Sequence, residues 1–188
     1  MWVKLIELLV LAWATLALLR FLLQRGGMHV SHPLAQLCIP LTDPIVKPAR
    51  RAVKAVRGWD MAIVAAVFFV LLLTQTLLAT VPIFKGAGFG LSYALLIVGN
   101  SVLFLTQALA YALIICLIIQ TVLSFSDPYN PLMRVVHTVL SPLTRPFARL
   151  RIGRIDFSGS VLFLLLWLWV GVVVPDLRHR LLTLLFFG

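Results

Sequence analysis

Three stretches of this chain, residues 61–82, 86–126 and 157–175, contain no charged residue. About 20 helical residues cross the roughly 30 Å of hydrocarbon in a bilayer, so an uncharged apolar run of 18 or more is a transmembrane candidate. Hydrophobic residues make up 62% of the 188 positions, against about 45–50% in a soluble domain. The chain is therefore read as an integral, all-α membrane protein. A further apolar run opens it, at residues 2–23. It has no basic region ahead of the apolar core and no small-residue cleavage site, so it is read as a retained span and not a signal peptide. Lys4 and Glu7 are placed to pair across a turn at one end of it, and Arg20 to reach the headgroups at the other.

A second pattern organises these runs. Pro33, Pro44 and Pro48 are separated by 11 and then 4 residues, and Pro131, Pro142 and Pro146 repeat that spacing. Each copy continues into a basic run and an aspartate, Asp60 or Asp156, that opens an apolar stretch. A repeat of this length is an architecture. It divides the chain into two pseudo-equivalent two-span hairpins with four transmembrane helices. Residues 1–80 form the first unit, with spans at about 2–23 and 61–80 around a loop at 25–59. Residues 100–175 form the second, with spans at about 100–123 and 157–174 around a loop at 125–156. Residues 176–188 are read as an interfacial tail.

Residues 81–99 have no counterpart in the second unit. Eleven of the sixteen basic residues lie in the two loops, and positive residues in short loops stay cytoplasmic. A crossing at 81–99 would put those loops on opposite faces. This segment is therefore expected not to cross, but to be an interfacial, re-entrant or tilted extension of the third span, broken near Lys85, Gly86, Gly88 and Gly90. Both termini then face away from the cytoplasm.

The loops carry the candidate functional residues. In the first, Lys47, Arg50, Arg51, Lys54 and Arg57 recur at helical spacing, with Ala49, Ala52, Val53 and Val56 opposite. In the second, Leu132, Val135, Val136, Val139 and Leu140 form an apolar stripe, and Arg145, Arg149, Arg151 and Arg154 follow. Such helices lie in the membrane interface with cations toward the headgroups. Asp43-Pro44 and Ser141-Pro142 read as a cap followed by proline at the first helical position. With Pro48 and Pro146 four residues on, each loop is expected to be two short helices joined at a proline corner. Asp60 and Asp156 are read as N-terminal caps of the spans they open, compatible with a local ion pair.

A net charge of +10 admits nucleic acid or anionic lipid as partner. The spans decide for anionic phospholipids, and no nucleic acid is expected. A membrane or cytosolic protein partner is the sharper expectation, and a homo-oligomer stays open. Cys38 and Cys116, one in a loop and one in a span, are not expected to pair. His29 and His32 stand three apart, as metal or haem ligands can, but read better as interfacial side chains. No catalytic constellation, nucleotide-binding loop or cofactor site is legible. Polar residues inside the spans (Thr74, Gln75, Thr76, Asn100, Ser101, Thr106, Gln107, Gln120) are expected to serve packing between helices before a pore.

In the second half Asn130, Pro131, Pro142, Pro146, Arg149, Gly153, Asp156, Phe157 and Ser158 resemble the motif of the YggT (YlmG) family of small membrane proteins. Arg20, Pro33, Thr42, Pro44, Pro48, Arg50, Arg51, Gly58 and Asp60 match it in the first. Gly159 stands where the family has proline, His32 where it has asparagine, and Gln120 at the place of Arg20. The resemblance implies a bacterial inner membrane and a role in membrane organisation, cell division and envelope maintenance. It brings no agreed reaction or substrate. The expectation is a non-enzymatic scaffold or assembly factor, with a channel or transporter component for osmotic or ionic stress as the alternative.

Overall fold

The computed structural model describes residues 2–29, 32–53, 59–84, 90–127, 129–152 and 155–186. Among these the chain is helical almost throughout. The helices are α1 (Trp2–Arg25), α2 (Pro33–Ala52), α3 (Met61–Phe84), α4 (Leu91–Ser126), α5 (Pro131–Thr144), α6 (Ser158–Leu168) and α7 (Val174–Phe186). A 3-10 turn, Arg145–Leu150, follows α5, and Arg151–Ile152 pairs antiparallel with Ile155–Asp156 before α6. Four helical stretches are long and apolar enough to cross a membrane: Trp2–Arg25, Met61–Ala79, Tyr93–Ser126 and Ser158–Leu181. The chain is an all-α, multi-pass membrane protein.

The core is one cluster built from both halves. α1 packs on α3 and α4, while α4 also meets α5, α6 and α7. In the core that α1 and α4 share, Ala14, Ala17, Ala108 and Ala112 are wholly buried. Small residues let helix backbones approach closely, which is what holds helices together where lipid offers no hydrophobic drive. Large apolar residues such as Leu77, Phe69 and Leu164 point outward, as a lipid-facing surface allows.

The segment at 81–99 is divided between two helices. Residues 81–84 end α3, and from Leu91 the chain is already in α4; residues 85–89, with Lys85, Gly86 and Gly88, lie outside the described residues. At 36 residues α4 is about 54 Å long, well beyond the hydrocarbon thickness. Its early turns are tied down from two sides. The Tyr93 hydroxyl donates to the Ala79 carbonyl of α3 at 3.2 Å, and Gly99 lies under Leu181 of α7.

Three expectations are corrected. The helix that opens at Ser158 does not stop at residue 174. A π-helical turn at Trp169–Val173 leads directly into α7, with the Val174 N–H bonded to the Trp169 carbonyl. Pro175 has no N–H, and its ring would clash with the carbonyl four residues back. The wider turn, with Gly171 at that position, accommodates it.

The first loop has no proline corner. α2 runs unbroken through Pro40, Pro44 and Pro48. At four-residue spacing their missing donors fall along one face, and all three prolines are exposed there. Only the second loop changes geometry, where α5 tightens into the 3-10 turn at Arg145.

The caps also lie elsewhere than expected. His32 and Asn130 are the N-caps, each side chain accepting the N–H two residues on, with Pro33 and Pro131 in the first turn. Asp43 and Ser141 sit inside their helices.

Candidate functional site: the loop helices at one end of the bundle

Both loop helices sit at the same end of the bundle. Gly26, directly after α1, is pressed on α5: a Cβ there would come 2.6 Å from the Val135 carbonyl oxygen and 3.1 Å from Val139 Cγ2. A cleft of about 900 Å³ separates the two loops, with Met28, His29 and His32 on one wall and Asn130, Arg134 and His137 on the other. Leu132, Val136, Val139 and Leu140 of α5 are buried. α2 buries Ala35, Cys38, Thr42 and Val46, and Ala49 of the expected stripe continues that face, partly buried against the core; Ala52 is exposed. Its outer face mixes exposed Leu37 and Leu41 with Lys47 and Arg51.

Arg20 is the residue that sequence reasoning misplaced. It does not reach toward headgroups; it is 3% exposed. Its Nη1 donates to Thr42 Oγ1 at 2.5 Å and to Asp43 Oδ1 at 2.8 Å. The Thr42 hydroxyl in turn donates to the Cys38 carbonyl at 2.7 Å. Asp43 also holds Lys47 at 3.1 Å. Burial pushes the Asp43 carboxyl up, but the hydrogen bonds and charges of Arg20 and Lys47 outweigh it and leave its pKa below the usual value. The Cys38 thiol is raised by burial, partly offset by Arg20. The signal for this anchor was charge scarcity. The chain has six acids against sixteen Lys and Arg, so each acid selects among several cations.

The other acids follow the same logic. Asp60 Oδ2 accepts from Arg50 Nε at 3.0 Å and Nη2 at 2.5 Å, an ion pair where a helix cap was expected first. Arg25 lies 4.9 Å over the Trp59 ring, which packs on Phe21 at 5.2 Å. Together these contacts fasten both ends of the first loop to α1 and α3. Glu7 lies 3.5 Å from Arg178, and Asp176 pairs with Arg180.

The predicted basic residues therefore divide. Arg50 is committed to Asp60, and Lys47 shares Asp43 while its side chain stays 71% exposed. Arg51, Arg134 and Arg145 are exposed. Arg149 lies in the 3-10 turn and Arg151 pairs through its backbone with Asp156. Lys54, Arg57, Gly153 and Arg154 lie outside the described residues. Among the polar span residues, the hydroxyls of Thr74, Thr76, Ser101 and Thr106 bond back to their own helices. Gln75 is buried.

The sequence profile of the CCB3/YggT family matches residues 1–81 and 99–177, and the chain belongs to that family. It is 28% identical over 166 residues to an uncharacterized protein of Pseudomonas aeruginosa, covering 86% of this chain and 82% of the relative. An uncharacterized protein of Haemophilus influenzae is 30% identical over 159 residues, 82% of each chain. The uncharacterized protein YggT of Escherichia coli K12 is 27% identical over 157 residues, covering 80% of this chain and 77% of that one. No solved structure matches.

Proposed function

We propose that this member of the CCB3/YggT family is a non-enzymatic scaffold or assembly factor of the bacterial inner membrane, acting in envelope and cell-division organisation. Its two halves are pseudo-equivalent hairpins, its basic loops face the cytoplasm and its termini face the periplasm. The observation that carries the reading is the placement of α2 and α5 at one end of the bundle, with Lys47, Arg51, Arg134 and Arg145 exposed there. A cationic surface of this kind favours anionic phospholipid, each cation near the surface being worth about 1 kcal/mol, and leaves a mixed apolar and basic face for a protein partner.

The experiment is charge reversal at Arg51, Arg145, Arg149 and Arg151, with Arg50 left in place because Asp60 needs it. In-cell crosslinking with mass spectrometry and localisation are the readouts. Loss of the crosslinked partners at unchanged protein level is expected. Wild-type crosslinks and localisation in the quadruple variant would refute the scaffold reading.

A further inference from the structure

The proline repeat gives the two loop helices equivalent starting points, and both starts open on one cleft. With Pro33 set on Pro131, His32 falls on Asn130 and His29 on Asp127. His32 caps α2 and Asn130 caps α5, and both residues line the cleft between the loops. The chain reaches this arrangement through Gly26, which lies against α5, and Gly27, which turns it with a φ of +85°. Glycine adopts that φ at no steric cost. At about 900 Å³ the cleft falls within the roughly 300–1,000 Å³ usual for small-molecule sites.

The lining carries one sign of charge. Arg134 and the imidazoles of His29, His32 and His137 line the cleft, and among the described residues no Asp or Glu does. Arg134 is exposed and makes no ion pair among the described residues. The nearest acid along the chain, Asp127, accepts from Asn130 Nδ2 at 3.3 Å and is not part of that lining. His32 Nδ1 accepts the Leu34 N–H at 3.3 Å, which places the proton of the neutral ring on Nε2 and leaves that atom as a donor. The N–H groups of Leu34 and Leu132 are taken by His32 and Asn130. The two helices therefore contribute the positive ends of their dipoles and not free donors. Buried Met28 and Leu132 also line the cleft, so a ligand there meets apolar surface as well as cationic and donor groups.

We propose that this cleft binds a small phosphorylated molecule through its phosphoryl group, with Arg134 as the principal contact and His32 and His137 as further donors. A guanidinium fork matches phosphoryl oxygens in pairs. A phosphate monoester carries nearly two charges at neutral pH, and a lining with a cation, two helix starts and no carboxylate favours it over a single carboxylate. The same phosphoryl chemistry is presented by a soluble ester and by a lipid headgroup. The site stands apart from the scaffold reading: Arg51, Arg145, Arg149 and Arg151, whose reversal tests that reading, are not among the described residues that line the cleft.

The test uses the full chain in an uncharged detergent. Glycerol 3-phosphate is titrated by isothermal calorimetry, and phosphatidic acid, which carries the same head on acyl chains, by native mass spectrometry. One equivalent per chain should bind. Saturable binding of glycerol 3-phosphate assigns the site to a soluble ester; binding of phosphatidic acid alone assigns it to a lipid headgroup. Glycerate, with a carboxylate in place of the phosphate, should bind at least about tenfold more weakly than glycerol 3-phosphate. Arg134→Gln should weaken binding of the phosphate probe about tenfold or more, as loss of a charged hydrogen bond does. Its melting temperature should not change, because the side chain is exposed. Arg51→Gln should bind as wild type does. Failure of both phosphate probes to bind, equal binding of glycerate, or unchanged binding in Arg134→Gln would each overturn the proposal. So would an equal loss in Arg51→Gln, which would assign the binding to the general basic surface.

Discussion

Replacing Asp43 by Asn should destabilise the protein far more than a loop substitution normally does. The Arg20 guanidinium is 3% exposed and its Nη1 lies 2.8 Å from Asp43 Oδ1. At an effective dielectric of about 20 that attraction is roughly 6 kcal/mol before desolvation. Removing the negative charge leaves a buried cation with only neutral acceptors, Thr42 and the new amide, and with its Nε already unpartnered among the described residues. Breaking one side of a buried pair costs about 3–5 kcal/mol. The lower end applies, because the Asp43 side chain keeps 17% of its exposure. For a chain of this size that corresponds to a fall in melting temperature of roughly 6–12 °C. Arg20→Leu combined with Asp43→Asn should recover most of the loss, since a buried pair exchanged for apolar groups is often neutral. The assay is thermal unfolding in detergent by circular dichroism, read as a double-mutant cycle. An Asp43→Asn protein as stable as wild type, or a double variant no better than the single one, would refute the claim that the pair anchors α2 to α1.

Other outcomes follow from the same contacts. Gly26→Ala should cost about 1–3 kcal/mol, as overpacking does, because its Cβ would meet the Val135 backbone at 2.6 Å; Gly171→Ala, with nothing within 4 Å, should be close to neutral in the same unfolding assay. The Asp43 carboxyl is depressed in the folded protein, so its contribution is present above the unfolded value of about 3.9 and is lost as pH falls through the lower folded value. Acid titration of stability should therefore show a shallower acid limb in Asp43→Asn than in wild type. Cys38 is 3% exposed with a raised thiol pKa, so maleimide should label it slowly in folded protein and rapidly after denaturation. Cysteines placed at Arg51 and Arg145 should label readily and from one side of the membrane only; labelling from opposite sides would contradict the shared end of α2 and α5.

The spans were legible because hydrophobic length is a one-dimensional signal, and the apolar runs at 61–82 and 157–175 fall in α3 and in α6 with its π turn. The α5 stripe was legible for a similar reason: Leu132, Val136, Val139 and Leu140 repeat at helical period and are buried. What failed was reasoning from single residues whose role depends on a distant partner. Arg20 near a helix end reads as a snorkelling cation unless Thr42 and Asp43, more than twenty residues later, are known to arrive beside it. Asp43-Pro44 has the local form of a helix start, but Pro33 behind His32 nucleates the helix first and the chain continues through. Propensity gives way where packing on α1 holds α2 in one helix. The π turn has no clear pattern of its own; Pro175 marks the strain, and which turn absorbs it depends on the surrounding helices.

The packing is shared across the halves, since α1 meets α4 and both contribute to one core cluster. Neither half can then move its helices without disturbing the other. The two loops are held differently. In the first, three fastenings tie the loop down: Arg20 to Asp43, Arg50 to Asp60, and Arg25 over Trp59. In the second, Ser141 has replaced the acid, the helix tightens after Pro142, and a groove stands open beside α6. Charge makes the division economical. With sixteen cations and six acids, not every cation can be neutralised within the chain, and Arg51, Arg134 and Arg145 stand exposed at one end of the bundle. The first half uses its acids to set the shape of that end; the second leaves its cations available to what lies outside the chain.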